Sequence, residues 1–457
     1  MKAMFIGSLR RFPPFIWEGL RALMAVGLPL IGVVGTGDVL DLEAWFASEI
    51  VTIQLSIGEP VHLTAGDFNK DSLPDLFLTA EGNRPDWFLG VPNPNHEIRF
   101  YLLPGREEGW GDPVLVGILP GQGLAFTLGL VSLHSGVDLD GDGNEDLATL
   151  LTFSLVPEPP AVPNKETFQT DLLIFWGDGN GGFIVEHTKD LDVGLLPPAD
   201  IVAGDFNSDG LVDLAYSDPQ NLALHILYNR GGRRFESPHI VPIIQEKDEC
   251  TPLPAYLSVA RLDETRGGDD IVVAGSCIFS HDCYRFFIRG LISCEEGRWE
   301  LTPLVLAGPL RHEFQNTLGN LMARDFNEDG HADVLFTQLI FRGEQHEAMG
   351  IYLMTGDGRG GFGPPVFLKG MTQGGLLSVE RDPHGGWEVI AFSSEINGVV
   401  VLHTTDGSFS TTSIPVKGYA VDGIVLNRAG AREIVVISSL DLKTEVTLLN
   451  IIRRKAS

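Results

Sequence analysis

The sequence predicts an all-β fold: a seven-bladed β-propeller of four-stranded blades, closed by pairing of its N- and C-terminal strands. Three observations predict it. An acidic motif recurs along the chain, a glycine-rich turn follows it in most units, and an orphan strand-like run ahead of the first unit matches a strand missing from the last.

Four segments align without gaps: A-G-D-F-N-K-D-S-L-P-D-L from Ala65, G-V-D-L-D-G-D-G-N-E-D-L from Gly136, A-G-D-F-N-S-D-G-L-V-D-L from Ala203 and A-R-D-F-N-E-D-G-H-A-D-V from Ala323. Three further segments keep the hydrophobic frame and lose acids. Residues 260–274 retain Asp270 at the ninth motif position, with Leu262 at the first. Residues 379–391 carry Glu380, Asp382 and Glu388 in frame with His384 at the fifth, and residues 424–437 keep Asn427, Gly430 and Glu433.

The second signature lies downstream: F-W-G-D-G-N-G-G-F from Phe175, Y-N-R-G-G-R-R-F from Tyr228 and L-M-T-G-D-G-R-G-G-F from Leu353, with weaker versions at 102–110 and 402–409. Glycine turns between runs of Val, Ile, Leu and Phe read as hairpins. Each unit is thus strand, acidic loop, strand, variable connection, strand, glycine turn, strand. Blades are expected at about 61–120, 126–197, 198–248, 253–308, 316–370, 371–417 and 418–457, the last completed by 45–58. Closure follows because the seventh unit supplies three strands and the run at 50–57 can fill the fourth place, hiding both sheet edges.

In the third unit Asp205, Asn207 and Asp209 alternate along a tight turn, Gly210 admits a positive φ, Leu211 offers its backbone carbonyl and Asp213 closes the ring. The same places are held by Asp67, Asn69, Asp71, Leu73 and Asp75 in the first unit, and by Asp138, Asp140, Asp142, Asn144 and Asp146 in the second. In the fifth they are Asp325, Asn327, Asp329, His331 and Asp333. Oxygen donors at alternate positions suit calcium, a hard cation of flexible and high coordination number, and up to four ions are expected. An EF-hand shares this start, but a helix follows it. Here Leu76-Phe77-Leu78, Leu214-Ala215-Tyr216 and Val334-Leu335-Phe336 follow, and these are strand-like. The second loop is the most acidic, with Glu145 adjacent; the first, with Ser72 in place of glycine, is expected to bind most weakly.

Acidic residues outnumber basic ones by 61 to 32, a formal charge of −29 that argues against nucleic acid or an anionic membrane surface as partner and for a cation. Residues 1–37 differ from the rest. Arg10, Arg11 and Arg21 precede an apolar run at 22–34, the pattern of a signal peptide or, if retained, an N-terminal anchor. Residues 38–457 form the propeller. The protein is therefore expected outside the cytoplasm (secreted, periplasmic or at the cell surface), with membrane contact only through the N-terminal segment if it is uncleaved. The four cysteines include no C-x-x-C pair, and an even count in an exported chain predicts two disulfides. Because Cys277 and Cys283 flank a short connection between strand-like runs, the expected pairs are Cys277–Cys283 and Cys250–Cys294.

The acidic segment from Ala203, together with the G-D-G-x-G-G-F turns, resembles the FG-GAP/VCBS repeat family, whose blades also build the head of integrin α subunits. The resemblance covers nearly the whole chain after the first 37 residues. It implies a seven-bladed propeller with calcium in the hairpin joining the first two strands of a blade, and recognition on the opposite face. The chain lacks the G-A-P tripeptide of part of the family, so an integrin-like role is not implied.

Connections between the second and third strands project from that opposite face. The first, at residues 81–97, carries Arg84, Trp87, Phe88 and His96 and is the expected contact region for a glycan or protein ligand. The sequence contains no H-E-x-x-H, G-x-S-x-G or P-loop, and no catalytic residue is assigned. The expected function is noncatalytic binding, adhesion or scaffolding. The alternative is a propeller enzyme, lyase or hydrolase, acting on polysaccharide through acids that distant blades bring together.

Overall fold

The computed structural model describes residues 49–83, 95–120, 126–131, 137–154, 168–188, 191, 198, 200–280, 283–294, 297–311, 318–327, 329–342, 345–371, 376–381, 387–393, 398–405, 408–428, 431–440 and 446–453. Seven antiparallel sheets form a seven-bladed β-propeller. Blade 1 comprises Glu59–Gly66, Asp75–Gly82, Glu97–Leu103 and Val114–Pro120; blade 2, Phe126–Val131, Leu147–Ser154, Phe168–Gly177 and Phe183–Thr188; blade 3, Ile201–Gly204, Asp213–Asp218, Ala223–Leu227 and His239–Pro242. Blade 4 contains Thr251–Ala260, Asp270–Ser280, Cys283–Cys294 and an outer strand in two pieces, Arg298–Leu301 and Val305–Arg311, which pair with opposite ends of the long third strand. Blade 5 follows with Leu318–Arg324, Asp333–Arg342, Gln345–Met354 and Val366–Met371, and blade 6 with Leu376–Arg381, Trp387–Ser393, Gly398–Thr405 and Ser408–Pro415.

Blade 7 is built from Tyr419–Arg428, Ala431–Ser439, Thr447–Arg453 and, from the other end of the sequence, Glu49–Leu55. The last two run antiparallel, with Ile50 opposite Ile452 and Leu55 opposite Thr447. Thr447 Oγ1 also donates to the carbonyl of Gly58 at 2.8 Å, which carries the closure into blade 1.

The core is divided into seven clusters, one between each pair of successive blades and including the pair 7 and 1. Successive side chains of a strand point to opposite faces, so each blade feeds two clusters. Leu76, Leu78 and Ala80 pack toward blade 7, while Phe77 between them packs toward blade 2. Ile271 and Val273 likewise face blade 3, and Val272 and Ala274 face blade 5. Burial on both faces is why these segments read as continuous apolar runs rather than alternating ones. Between blades 1 and 2 the filling is aromatic: Phe77 lies 5.1 Å from Phe175 and Phe100 4.8 Å from Phe175, both edge to face.

The disulfide differs from both expected pairs. Cys250 is bonded to Cys277 with the Cα atoms 5.5 Å apart, and Cys294 carries a free thiol. Strand register explains the difference. Cys277 sits opposite Pro252 on the first strand, two residues beyond Cys250, whereas on its other side it faces Arg285. Cys283 pairs with Ser280 at the hairpin tip, and Cys294 lies at the far end of the same strand. Neither Cys277–Cys283 nor Cys250–Cys294 forms.

Candidate metal centre

Each acidic loop joins the first strand of its blade to the second, and the motif folds in the same way four times. The first-position carboxylate accepts backbone N–H groups from the fifth and sixth positions: Asp67 from Asp71 and Ser72, both at 3.0 Å; Asp138 from Asp142 at 3.1 Å and Gly143 at 2.7 Å. Asp205 does so from Asp209 at 3.1 Å and Gly210 at 3.0 Å, and Asp325 from Asp329 at 3.2 Å and Gly330 at 2.9 Å. The third-position side chains, Asn69, Asp140, Asn207 and Asn327, accept from the fifth N–H. The fifth-position carboxylates accept from the N–H of Leu73, Asn144, Leu211 and His331. The sixth position requires a left-handed backbone. Gly143, Gly210 and Gly330 supply it at φ of 80°, 83° and 92°, and Ser72 adopts it at 67° without glycine's freedom.

The ninth-position aspartates are fully buried. Each accepts one N–H from the second loop position and one from the start of its blade's glycine turn: for Asp75, Phe68 at 3.1 Å and Gly105 at 2.7 Å; for Asp146, Leu139 and Gly177, both at 2.8 Å. Asp213 takes Phe206 at 3.0 Å and Asn229 at 2.7 Å, and Asp333 takes Phe326 at 3.1 Å and Gly356 at 2.9 Å. Burial pushes the carboxyls of Asp75 and Asp146 up to about 6 and that of Asp213 to about 7, and it raises Asp333, while the donated N–H groups pull the other way.

Blade 4 separates this clamp from the rest of the motif. Its ladder ends at Ala260 opposite Asp270, as that of blade 1 ends at Gly66 opposite Asp75. Arg261 therefore holds the first position, and buried Leu262 holds the second, where Phe68, Leu139, Phe206 and Phe326 stand. Asp263 is third, and the loop is one residue longer. This corrects the gap-free alignment that put Leu262 first. Asp270 still accepts from Leu262 and Ser293, both at 2.8 Å. Where the sister loops place acids, Arg266 reaches Asp263 at 3.2 Å and Glu300 at 2.9 Å and donates to Cys294 Sγ at 2.6 Å.

The loops also join successive blades. The second-position carbonyl accepts from the following blade's third strand or glycine turn: Phe68 O from Gly181 N at 3.1 Å, Leu139 O from Asn229 Nδ2 at 2.5 Å, Phe206 O from Ser293 Oγ, and Leu262 O from Gly360 N at 2.9 Å. The first-position N–H of Asp67 and of Asp205 donates to Glu145 and Asp269 of the next blade, each at 2.9 Å. Aligning the motif copies gives no sign of these contacts, because they join non-equivalent positions of different units.

In the second loop, oxygens of Asp138, Asp140 and Asp146 all lie within 4.8 Å of one another. The donors are exclusively oxygen and presented from one tight turn, so the residues fit a hard divalent cation. Asn replaces Asp at the third position of the other three loops, which lowers their charge while keeping an oxygen there.

On the opposite face, Arg84, Trp87 and Phe88 lie outside the described residues. His96 is 3% exposed, with Nε2 3.9 Å from Glu81 Oε2, so the structure places it inside the blade. Two further histidine–carboxylate pairs stand toward this face. His187 meets Asp171 at 2.6 Å, and His225 meets Asp218 at 2.8 Å while its other ring nitrogen meets Tyr216 Oη at 3.1 Å. Along the inner strands, Asp422 accepts from Leu63 N at 3.0 Å and pairs with His62 at 2.5 Å, and Asp200 accepts from Leu257 N at 2.8 Å.

No family model and no curated protein sequence matches the chain. Among solved structures it is similar to the sialidase of Trypanosoma rangeli, at 9% identity and a TM-score of 0.43, over 89% of this chain and 59% of the sialidase. It is also similar to BBS1N in complex with ARL6DN, at 12% identity and a TM-score of 0.45, over 89% and 96% of the two chains. YCF48 bound to D1 peptide matches at 13% identity and a TM-score of 0.40, over 92% and 97%. The chain thus spans about three fifths of the sialidase's length. At these identities and scores the likenesses concern the fold alone, and the propeller is read from this chain's own sheets.

Proposed function

We propose that the protein is an exported calcium-binding propeller of the FG-GAP/VCBS type that works as a noncatalytic binding or scaffolding module. The observation that carries this reading is the fourfold recurrence of one loop geometry, in which first-, third- and fifth-position oxygens are held by the loop's own N–H groups. Asp138, Asp140 and Asp146 converge within 4.8 Å in its most acidic copy. Residues for the ion are Asp67, Asn69, Asp71, Leu73 and Asp75 and their counterparts in blades 2, 3 and 5. The Cys250–Cys277 disulfide suits an oxidising compartment and so supports an extracytoplasmic setting. Calcium there is plentiful enough for sites with dissociation constants of roughly 10⁻⁴ to 10⁻³ M. A glycan or protein ligand would meet the face opposite the loops.

The test is thermal melting in EDTA and across a calcium titration. Calcium that binds only the folded chain raises the melting temperature by mass action, and Asp142→Ala and Asp209→Ala each blunt the rise. A wild-type melting temperature indifferent to calcium and EDTA defeats the metal reading. A glycan array, run beside an assay for reducing ends or unsaturated products, tests the binding role; turnover would replace it with an enzyme.

A further inference from the structure

The glycine turns that close onto the preceding blade's loop carry glycine at one left-handed position: Gly181 at φ 81° in blade 2 and Gly360 at φ 83° in blade 5. Their N–H groups cap Phe68 O and Leu262 O. A Cβ there would come within 3.1 Å of Leu102 and 2.6 Å of Ile292, respectively. Blade 3 breaks the pattern. The equivalent residue is Arg233, at φ 64°, and the capping of Leu139 O passes to Asn229 Nδ2. A non-glycine residue in this region carries strain that the surroundings must hold in place. What holds it is the side chain. Arg233 Nε donates to Asp140 Oδ2 at 2.7 Å, and the guanidinium lies 5.2 Å from the centre of the Trp176 ring.

Asp140 is the third-position donor of the blade 2 loop, and its other oxygen already accepts Asp142 N at 3.0 Å. Blade 4 presents the end point of the same arrangement. There the loop's third-position Asp263 is held by Arg266 of its own loop, and the first acid is replaced by Arg261.

We propose that Arg233 is a tethered counter-cation of the blade 2 loop: its guanidinium holds Asp140 in the metal-free protein and competes with calcium for that carboxylate, so that filling the loop releases a contact between blades 2 and 3. The proposal rests on the calcium reading above. Its consequence opposes the advantage that charge alone gives this loop. The most acidic loop binds calcium less tightly than its carboxylates would by themselves, and it gains the most when the arginine is removed.

The experiment is calcium titration calorimetry on the full chain, comparing wild type with Arg233→Gln and with Arg233→Gly, which restores the sister residue. Asp142→Ala, made in each background, assigns the heat that belongs to this loop. Both Arg233 variants are expected to raise the affinity of that loop alone by about tenfold, the effect of removing one charge-assisted competitor. Arg233→Gln is also expected to lower the melting temperature in EDTA, with the deficit vanishing at saturating calcium. Calcium binding with an unchanged or weakened blade 2 loop in both variants overturns this proposal and leaves the calcium reading intact. Absence of calcium heat from the wild type removes the calcium reading and this proposal together.

Discussion

Gly177 donates its backbone N–H to Asp146 Oδ1 at 2.8 Å, so the last acid of the blade 2 loop ties that loop to the glycine turn of the same blade. Gly105 with Asp75, Asn229 with Asp213 and Gly356 with Asp333 repeat the bond. Ser293 with Asp270 repeats it in blade 4, where the first-position acid is gone. The ninth-position aspartate therefore has a structural duty separable from any cation.

Asp270→Ala is expected to cost about 1–3 kcal/mol, the penalty for leaving buried donors without their acceptor. Denaturant unfolding with calcium and with EDTA should give the same loss. A loss that depends on calcium would mean that blade 4 holds an ion.

Burial pushes Asp200 up to about 7, against the accepted N–H groups of Leu257 and Ile201. In the unfolded chain its pKa returns to about 4. The folded form thus holds an extra proton between these values. Its contribution to stability is present below about 4 and is lost as pH rises through about 7. Asp200→Asn keeps an acceptor for Leu257 and removes the titration. The variant should gain stability relative to wild type as pH rises from 4 to 8 in EDTA, and a difference that stays flat over that range would contradict the sign.

Cys250 and Cys277 close a loop of 27 residues. Replacing both with alanine should cost about 3–4 kcal/mol on the chain-entropy estimate, while Cys294→Ser leaves denaturant stability within about 0.5 kcal/mol. Nonreducing peptide mapping checks the pairing directly. A peptide joining Cys250 to Cys294 would be inconsistent with the strand register.

Arg289 is fully buried and reaches Asp248 through both terminal nitrogens, at 2.8 and 2.5 Å. Asp248→Ala strands that charge and should cost about 3–5 kcal/mol. Urea unfolding of Asp248→Ala beside Asp248→Asn distinguishes loss of charge from loss of both acceptors.

The blade count and the closure were legible because each unit repeats its hydrophobic runs and turns, and because the last unit supplies three strands while Glu49–Leu55, paired with Thr447–Arg453, supplies the fourth. The cysteine pairing was not. Sequence proximity put Cys277 with Cys283, whereas a bond needs Cα atoms close in space and side chains turned toward each other, and both depend on register. The frame of blade 4 was misplaced for a similar reason. One inserted residue leaves the motif recognisable, yet only the pairing of Ala260 with Asp270 shows that Leu262 occupies the apolar second position.

The sequence by itself determined the repeat, the glycines at left-handed positions and the placing of acids and amides along the four complete loops, because these are properties of short segments and their backbone dihedrals. Only the tertiary structure decided which carboxylates are occupied by the protein itself. Asp140 and Arg233 stand 93 residues apart in sequence and in different blades, and their bond exists because the packing of blade 3 on blade 2 sets the glycine turn of one against the acidic loop of the other.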